Sequence, residues 1–313
     1  MPADPHGTAP WPPRLRMATA TATGLERRFG ALTGEDLTPP AAQHRALAEA
    51  RATVPGLGAL QRDLVAAVRD HGAAVLTGTP LDDGPLIAVS ACLGVVTAED
   101  NGFPCRMVWD IREDPQAPED PHAQQRDRFD LHTDSTFSAR PHDTIGMVCA
   151  QPAGDGSGRS LLLTADRLVQ ALRAAGHEDE LARLGRPDFP FGPGGANDMA
   201  PHRAAVLSLV DGPARVRYRF DLLHRALGRS TAYDPAAAEA RGALAAIAAV
   251  ETVLTAPGLV TSLLLGRGDY LLLDNARVLH GRTAVTASSG RHLRRLKLRA
   301  HAAPDPTSSP APS

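Results

Sequence analysis

The stretch LHTDSTF, residues 131–137, sets an imidazole (His132) and a carboxylate (Asp134) two positions apart. In an extended strand residues i and i+2 point to the same face, so these two side chains can reach one cation together, as adjacent residues could not. One imidazole nitrogen and one carboxylate oxygen leave a transition-metal site incomplete. The best third donor is His280, which closes the strand-like run DYLLLDNARVLHGR. Two histidines and one acid on one face of an octahedron leave three positions open, the arrangement of non-haem Fe(II) oxygenases, where co-substrate and O2 both reach the metal. A His-X-Asp triplet by itself is more often an ordinary strand histidine hydrogen-bonded to a neighbouring acid. The distant third donor, and the strand that follows it, tip the balance.

That strand is RHLRRLKLRA, residues 291–300. Period-2 alternation puts Arg291, Leu293, Arg295 and Lys297 on one face and Arg294, Leu296, Leu298 and Ala300 on the other. The second face is mostly apolar and suited to packing under helices, so Arg291 and Arg295 face the cavity. A guanidinium there grips a carboxylate bidentately, which a lysine does not. Two such groups can hold two anionic ends.

LHTDSTF, the glycine-rich GDGSGRSLLLTAD (154–166), LLLDNARVLHGR and RHLRRLKLR follow one another in an order and spacing that resemble the TauD/TfdA (clavaminate-synthase-like) Fe(II)/2-oxoglutarate-dependent dioxygenases. GAAVLTGTPLDD, residues 72–83, also resembles that family, and the likeness runs over roughly residues 55–300. It implies a mainly β fold with flanking helices, built on a double-stranded β-helix (jelly-roll) core. It makes His132, Asp134 and His280 the Fe(II) ligands and Arg291 the partner of the distal carboxylate of 2-oxoglutarate. Ser160 stands where the family usually has a threonine hydroxyl on that carboxylate, and Arg295 would contact either the co-substrate's other end or an anionic group of the substrate. Because Asp134 is an acid and not the Ala or Gly of related halogenases, oxidation is favoured over halogenation.

The activity implied is oxidation, foremost hydroxylation, of an unactivated C–H bond in a small polar substrate. A free or carrier-bound amino acid of specialised metabolism fits best, with O2 consumed and succinate and CO2 released. Desaturation, epimerisation or cyclisation by the same cofactors, and a non-catalytic metal sensor on the same fold, remain open at this point. Candidate substrate contacts are Asn101, Arg106, Phe137, Arg217 and Arg219, the last two sharing a strand face for which a solvent-facing role is the competing reading. His142 and Asp143 are adjacent and so face opposite sides of a strand, which disfavours a shared ligand role.

The elements that must position these residues are legible in part. The 313 residues suffice for one large core. The apolar fraction of 43% and net charge of −2 are ordinary for a globular chain and give no basic field for nucleic acid. Three cysteines without paired spacing argue against a disulfide framework, and no run is long enough to span a bilayer, so a cytoplasmic setting is the default. Composition divides the chain into a disordered leader at 1–24, one domain at 25–302 and a disordered tail at 303–313. Helices are expected at 40–53, 57–71, 84–93, 166–175 and 234–254. Strands are expected at 73–78, 105–111, 144–151, 160–164, 204–210, 214–220, 259–265, 269–274 and 291–300, with 112–128 a loop of lid length.

Overall fold

Leu271 and Leu273 leave the Tyr270–Asp274 strand toward a second sheet, while Tyr270 and Leu272 leave it toward helices. That alternation organises the molecule, a computed structural model that describes residues 10–100, 103–104, 106–112, 127–191, 202–210, 212–229, 238–287 and 289–301. The larger sheet runs in the order Arg14–Arg16, Ala73–Thr77, Tyr270–Asp274, Thr144–Gln151, His292–Arg299, Val95–Val96, with Trp109–Arg112 also on the His292–Arg299 strand. The smaller sheet is antiparallel throughout, in the order Thr261–Leu263, Ser160–Thr164, Val278–Arg282, Phe129–His132.

The two sheets face each other across a core that includes Ile145, Met147, Leu162, Leu271, Leu273 and Leu293. The outer face of the larger sheet packs on the helices Thr19–Phe29, Pro40–Thr53, Leu57–His71 and Asp83–Ser90. The outer face of the smaller sheet packs on Ala165–Ala174, Glu178–Leu184, Phe220–Arg229 and Ala238–Leu254. This is the expected double-stranded β-helix core with flanking helices, and central strands such as Thr144–Gln151 and Tyr270–Asp274 have apolar residues on both faces because each face is covered. No described helix is long and apolar enough to cross a membrane.

Several expectations change. Residues 10–24 are not a disordered leader: Arg14–Arg16 pairs in parallel with Val75–Thr77, and a helix begins at Thr19 and buries Leu25 and Phe29. Edge pairing uses backbone groups alone, so composition does not reveal it. Residues 1–9 and the expected tail lie outside the described residues, as do 113–126 of the expected lid and the start of the 234–254 helix. The segment 214–220 pairs only at Arg215–Val216 and turns helical from Phe220, while 204–210 pairs only at Leu207–Ser208 apart from the end of His202–Ala204. The run DYLLLDNARVLHGR is two strands, one in each sheet, with Asn275, Ala276 and Arg277 crossing between them.

Candidate functional site

His132 ends the Phe129–His132 strand, and His280 sits directly opposite on Val278–Arg282, the two rings 4.4 Å apart between centroids. Asp134 lies beyond the strand, in a turn whose next residue, Ser135, holds a left-handed φ of 53°. Strand parity therefore does not place Asp134 next to His132; the turn does. Asn275 fixes that turn: its Oδ1 accepts from the Asp134 N–H at 2.8 Å, and its Nδ2 donates to the Asp134 and His142 carbonyls at 2.9 Å each.

The outcome is a buried donor set. Asp134 Oδ1 lies 3.3 Å from His132 Nε2 and 3.7 Å from His280 Nε2. One ligand atom from each of the three residues falls within 4.8 Å of the others, and all three residues are buried. His132 Nδ1 sits 2.9 Å from the Asp130 carbonyl, which fixes the proton on Nδ1 and leaves the Nε2 lone pair toward the cluster. Burial, together with the neighbouring His280, pushes the His132 imidazolium down to about 4, so the ring is neutral near pH 7. Burial alone would raise Asp134; Lys297, Arg295 and the two histidines outweigh it and hold the carboxyl well below its ordinary value. Two imidazoles and one carboxylate with converging atoms fit a divalent first-row metal.

The triad opens into a cavity of about 70 Å³ floored by Phe129, Met147 and Leu293 and ringed by Ser160, Arg282, Arg291 and Arg295. Arg291 packs on the turn at Gly158, where an added Cβ would lie 2.5 Å from Arg291 Cδ; at φ 62° that position suits glycine twice over. Burial and the like charge of Arg282 push Arg291 down to about 10. Ser160 is buried and pairs across the sheet with Arg282. Arg295 also reaches the triad itself, its Nη1 3.2 Å from Asp134 Oδ2.

The substrate-side candidates scatter. Phe137 packs edge-on against Phe191, with ring centroids 5.5 Å apart, and joins the helix-facing core, away from this cavity. Arg217 donates to the carbonyls of Thr136 and Ser138 at 2.7 and 2.6 Å, strapping down the chain beyond Asp134. Arg219 pairs with Asp221 and lies over the outside of the Phe129 ring. Arg106 is exposed and lines no part of the cavity, and Asn101 lies outside the described residues. His142 is buried against Ser135 and Thr97, remote from any ligand role. A larger cavity, about 420 Å³, lies behind the Asp134 turn against His142, Asn275 and Arg217 and holds none of the triad side chains.

Sequence reading missed Asn275, Arg282 and Lys297. The Asn275 signal is an amide at the crossing between two apolar strands. Lys297 was visible as the chain's only lysine, on the inward face of an alternating strand.

The family described as "Taurine catabolism dioxygenase TauD, TfdA family" matches residues 33–297. No curated protein sequence matches the chain. Among solved structures, an asparagine oxygenase in complex with Fe(II), 2S,3S-3-hydroxyasparagine and succinate aligns with a TM-score of 0.66 at 18% identity, over 91% of this chain and 93% of that one. A point mutant of the non-haem iron oxygenase OrfP, in complex with (3S)-hydroxy-L-Arg, aligns with a TM-score of 0.67 at 21% identity, over 92% and 94%. OrfP with Fe and alpha-ketoglutaric acid aligns with a TM-score of 0.62 at 19% identity, again over 92% and 94%. At these identities the likeness is one of fold.

Proposed function

Since the chain belongs to the taurine catabolism dioxygenase TauD, TfdA family, whose enzymes are Fe(II)/2-oxoglutarate-dependent oxygenases, we propose that His132, Asp134 and His280 hold the iron and that the reaction is hydroxylation of a small amino acid. The observation that carries this reading is the buried convergence of His132 Nε2, Asp134 Oδ1 and His280 Nε2 at the mouth of an arginine-lined cavity. Once bound, iron with 2-oxoglutarate and O2 supplies the oxidising power for an unactivated C–H bond, with succinate and CO2 as co-products. The protein's own part is position and exclusion of water.

Arg291 and Ser160 share the cavity wall, and they bind the distal carboxylate of 2-oxoglutarate, the guanidinium as a charged clamp and the hydroxyl as a further donor. Arg295 stands nearer the metal ligands and is placed to meet an anionic group of the substrate. Ile111, Phe129, Met147 and Leu293 keep the reacting volume apolar. Hydroxyasparagine and hydroxyarginine in the structural neighbours support an amino-acid substrate, and the three arginines of the cavity support one that carries a carboxylate.

The test is anaerobic loading with Fe(II) and 2-oxoglutarate, followed by aerobic turnover on a panel of free amino acids. The expected results are a weak visible charge-transfer band, succinate release stimulated by one substrate, and a product heavier by one oxygen atom. A folded, metal-loaded protein that gives neither band nor succinate would overturn the reading.

A further inference from the structure

The Asp134 carboxylate is divided between two environments. Oδ1 faces His132 and His280, whereas Oδ2 faces two cations, Arg295 Nη1 at 3.2 Å and Lys297 Nζ at 3.5 Å. The two cations are not equivalent. Arg295 lines the cavity, whereas Lys297 is buried and is absent from the cavity wall.

Lys297 is also held at both ends. Its ammonium donates to Ser135 Oγ at 3.3 Å, Ser135 Oγ meets His142 Nδ1 at 2.8 Å, and His142 Nε2 meets Thr97 Oγ1 at 3.0 Å. Thr97 closes the ring by donating its N–H and hydroxyl to the Lys297 carbonyl at 2.9 and 3.1 Å. A buried ammonium is costly unless a charge opposes it, and here the opposing charge is a metal ligand. An ordinary jelly-roll core needs no lysine at this position.

We propose that Lys297, the only lysine of the chain, is a positioning residue that ties back Asp134 Oδ2 so that the carboxylate offers the metal one oxygen, and that it does so independently of Arg295. An anion that recruits Arg295 then leaves the ligand's orientation intact. This rests on the metal-centre reading above, and the experiment separates the two.

Co(II) binding to the metal-free full chain, followed by visible absorption and by competition with a chelator, reads the site without turnover. Wild type should bind one Co(II). Lys297→Met and Lys297→Gln should raise the Co(II) dissociation constant about tenfold to a hundredfold, the range expected when a ligand's hydrogen-bonding partner is lost. Both should also alter the d–d spectrum as the second carboxylate oxygen is released toward the metal. Lys297→Arg, which keeps the charge but not the compact ammonium, should fall between wild type and the two neutral variants. Thermal melts of the metal-free proteins show whether each variant folds. If Lys297→Met does not fold, the Gln and Arg variants carry the comparison. A folded Lys297→Gln or Lys297→Met that binds Co(II) as wild type does, with the same spectrum, would overturn the proposal while leaving the metal centre standing. Failure of wild type to bind Co(II) would overturn the metal centre itself.

Discussion

Asn275 closes on the backbone of Asp134 from both sides, accepting its N–H and donating to its carbonyl, and ties the same turn to the His142 carbonyl. The residue that aims the Asp134 turn therefore belongs to the crossing between the two sheets, 141 positions away in the chain. His280 follows on the strand that this crossing begins, so one short segment sets the position of two of the three residues of the triad.

Asn275→Ala should cost about 2–4 kcal/mol of stability, because three buried hydrogen bonds are lost and backbone groups are left without partners. Asn275→Asp keeps the shape and the acceptor but loses both donors and sets a carboxylate against two carbonyls. It should weaken metal binding more than its effect on the melting temperature implies. Calorimetry and metal titration on both variants check this, and equal, small losses in each would contradict it.

Arg291→Ala should raise the KM for 2-oxoglutarate roughly 30- to 100-fold, the equivalent of a charge-assisted bidentate contact, and Arg291→Lys by less. Ser160→Ala removes one neutral donor and should raise it only about threefold to tenfold. The KM for the amino-acid substrate should hardly move in any of the three. Steady-state kinetics with each substrate varied in turn measure the split. A Ser160 effect as large as that of Arg291 would mean that the hydroxyl does more than support the guanidinium.

The Tyr218 hydroxyl donates to Glu251 Oε1 at 2.7 Å, while the Tyr218 backbone pairs with Thr133, the residue between His132 and Asp134. Burial raises the Glu251 carboxyl above its ordinary value, against the lowering effect of the Tyr218 bond. An acid whose pKa is raised by folding contributes stability below its unfolded pKa and loses it as pH climbs through the folded pKa. Glu251→Gln keeps an acceptor for Tyr218 without that titration. It should melt higher than wild type at about pH 7.5, and the gap should close at about pH 4. A gap of the same size at both would show that Glu251 does not titrate differently on folding.

His132 and the inward face of the last strand were legible because local periodicity reports them: Phe129–His132 and His292–Arg299 are real strands. The helix 57–71 was legible for the same reason, and Gly72 caps it in the left-handed region, whereas 40–53 was legible from its Ala, Leu and Glu content. What periodicity does not carry is pairing at distance. The Arg14–Arg16 strand is added to a sheet edge through backbone bonds, and Arg217 points into a loop of carbonyls that its own strand face does not announce. The Asp134 position came out right for a reason other than the one the spacing offered, since the strand stops at His132 and a turn completes the approach. Lys297 shows the opposite case: alternation gives its face, but nothing in its own spacing announces the contact with Asp134 Oδ2.

Gly281 separates His280 from Arg282 where the Val278–Arg282 strand shifts register against Phe129–His132. A Cβ built there would lie 2.5 Å from the Phe129 carbonyl oxygen and 3.1 Å from the Asp130 backbone. Both neighbours are main chain, so neither can swing aside as a side-chain tip would. Gly281→Ala must therefore push the two strands apart at the point where His280 meets His132. The expected cost is about 1–3 kcal/mol of stability, the usual range for overpacking, together with weaker metal binding because the histidines separate. Gly154→Ala, at a turn where the nearest atom to an added Cβ is 3.9 Å away, serves as the control and should leave both properties near wild type. Melting temperatures and Co(II) titrations of the pair decide the matter: a Gly281→Ala protein that melts lower yet binds metal normally would show that the close approach of the strands serves the fold and not the ligand geometry.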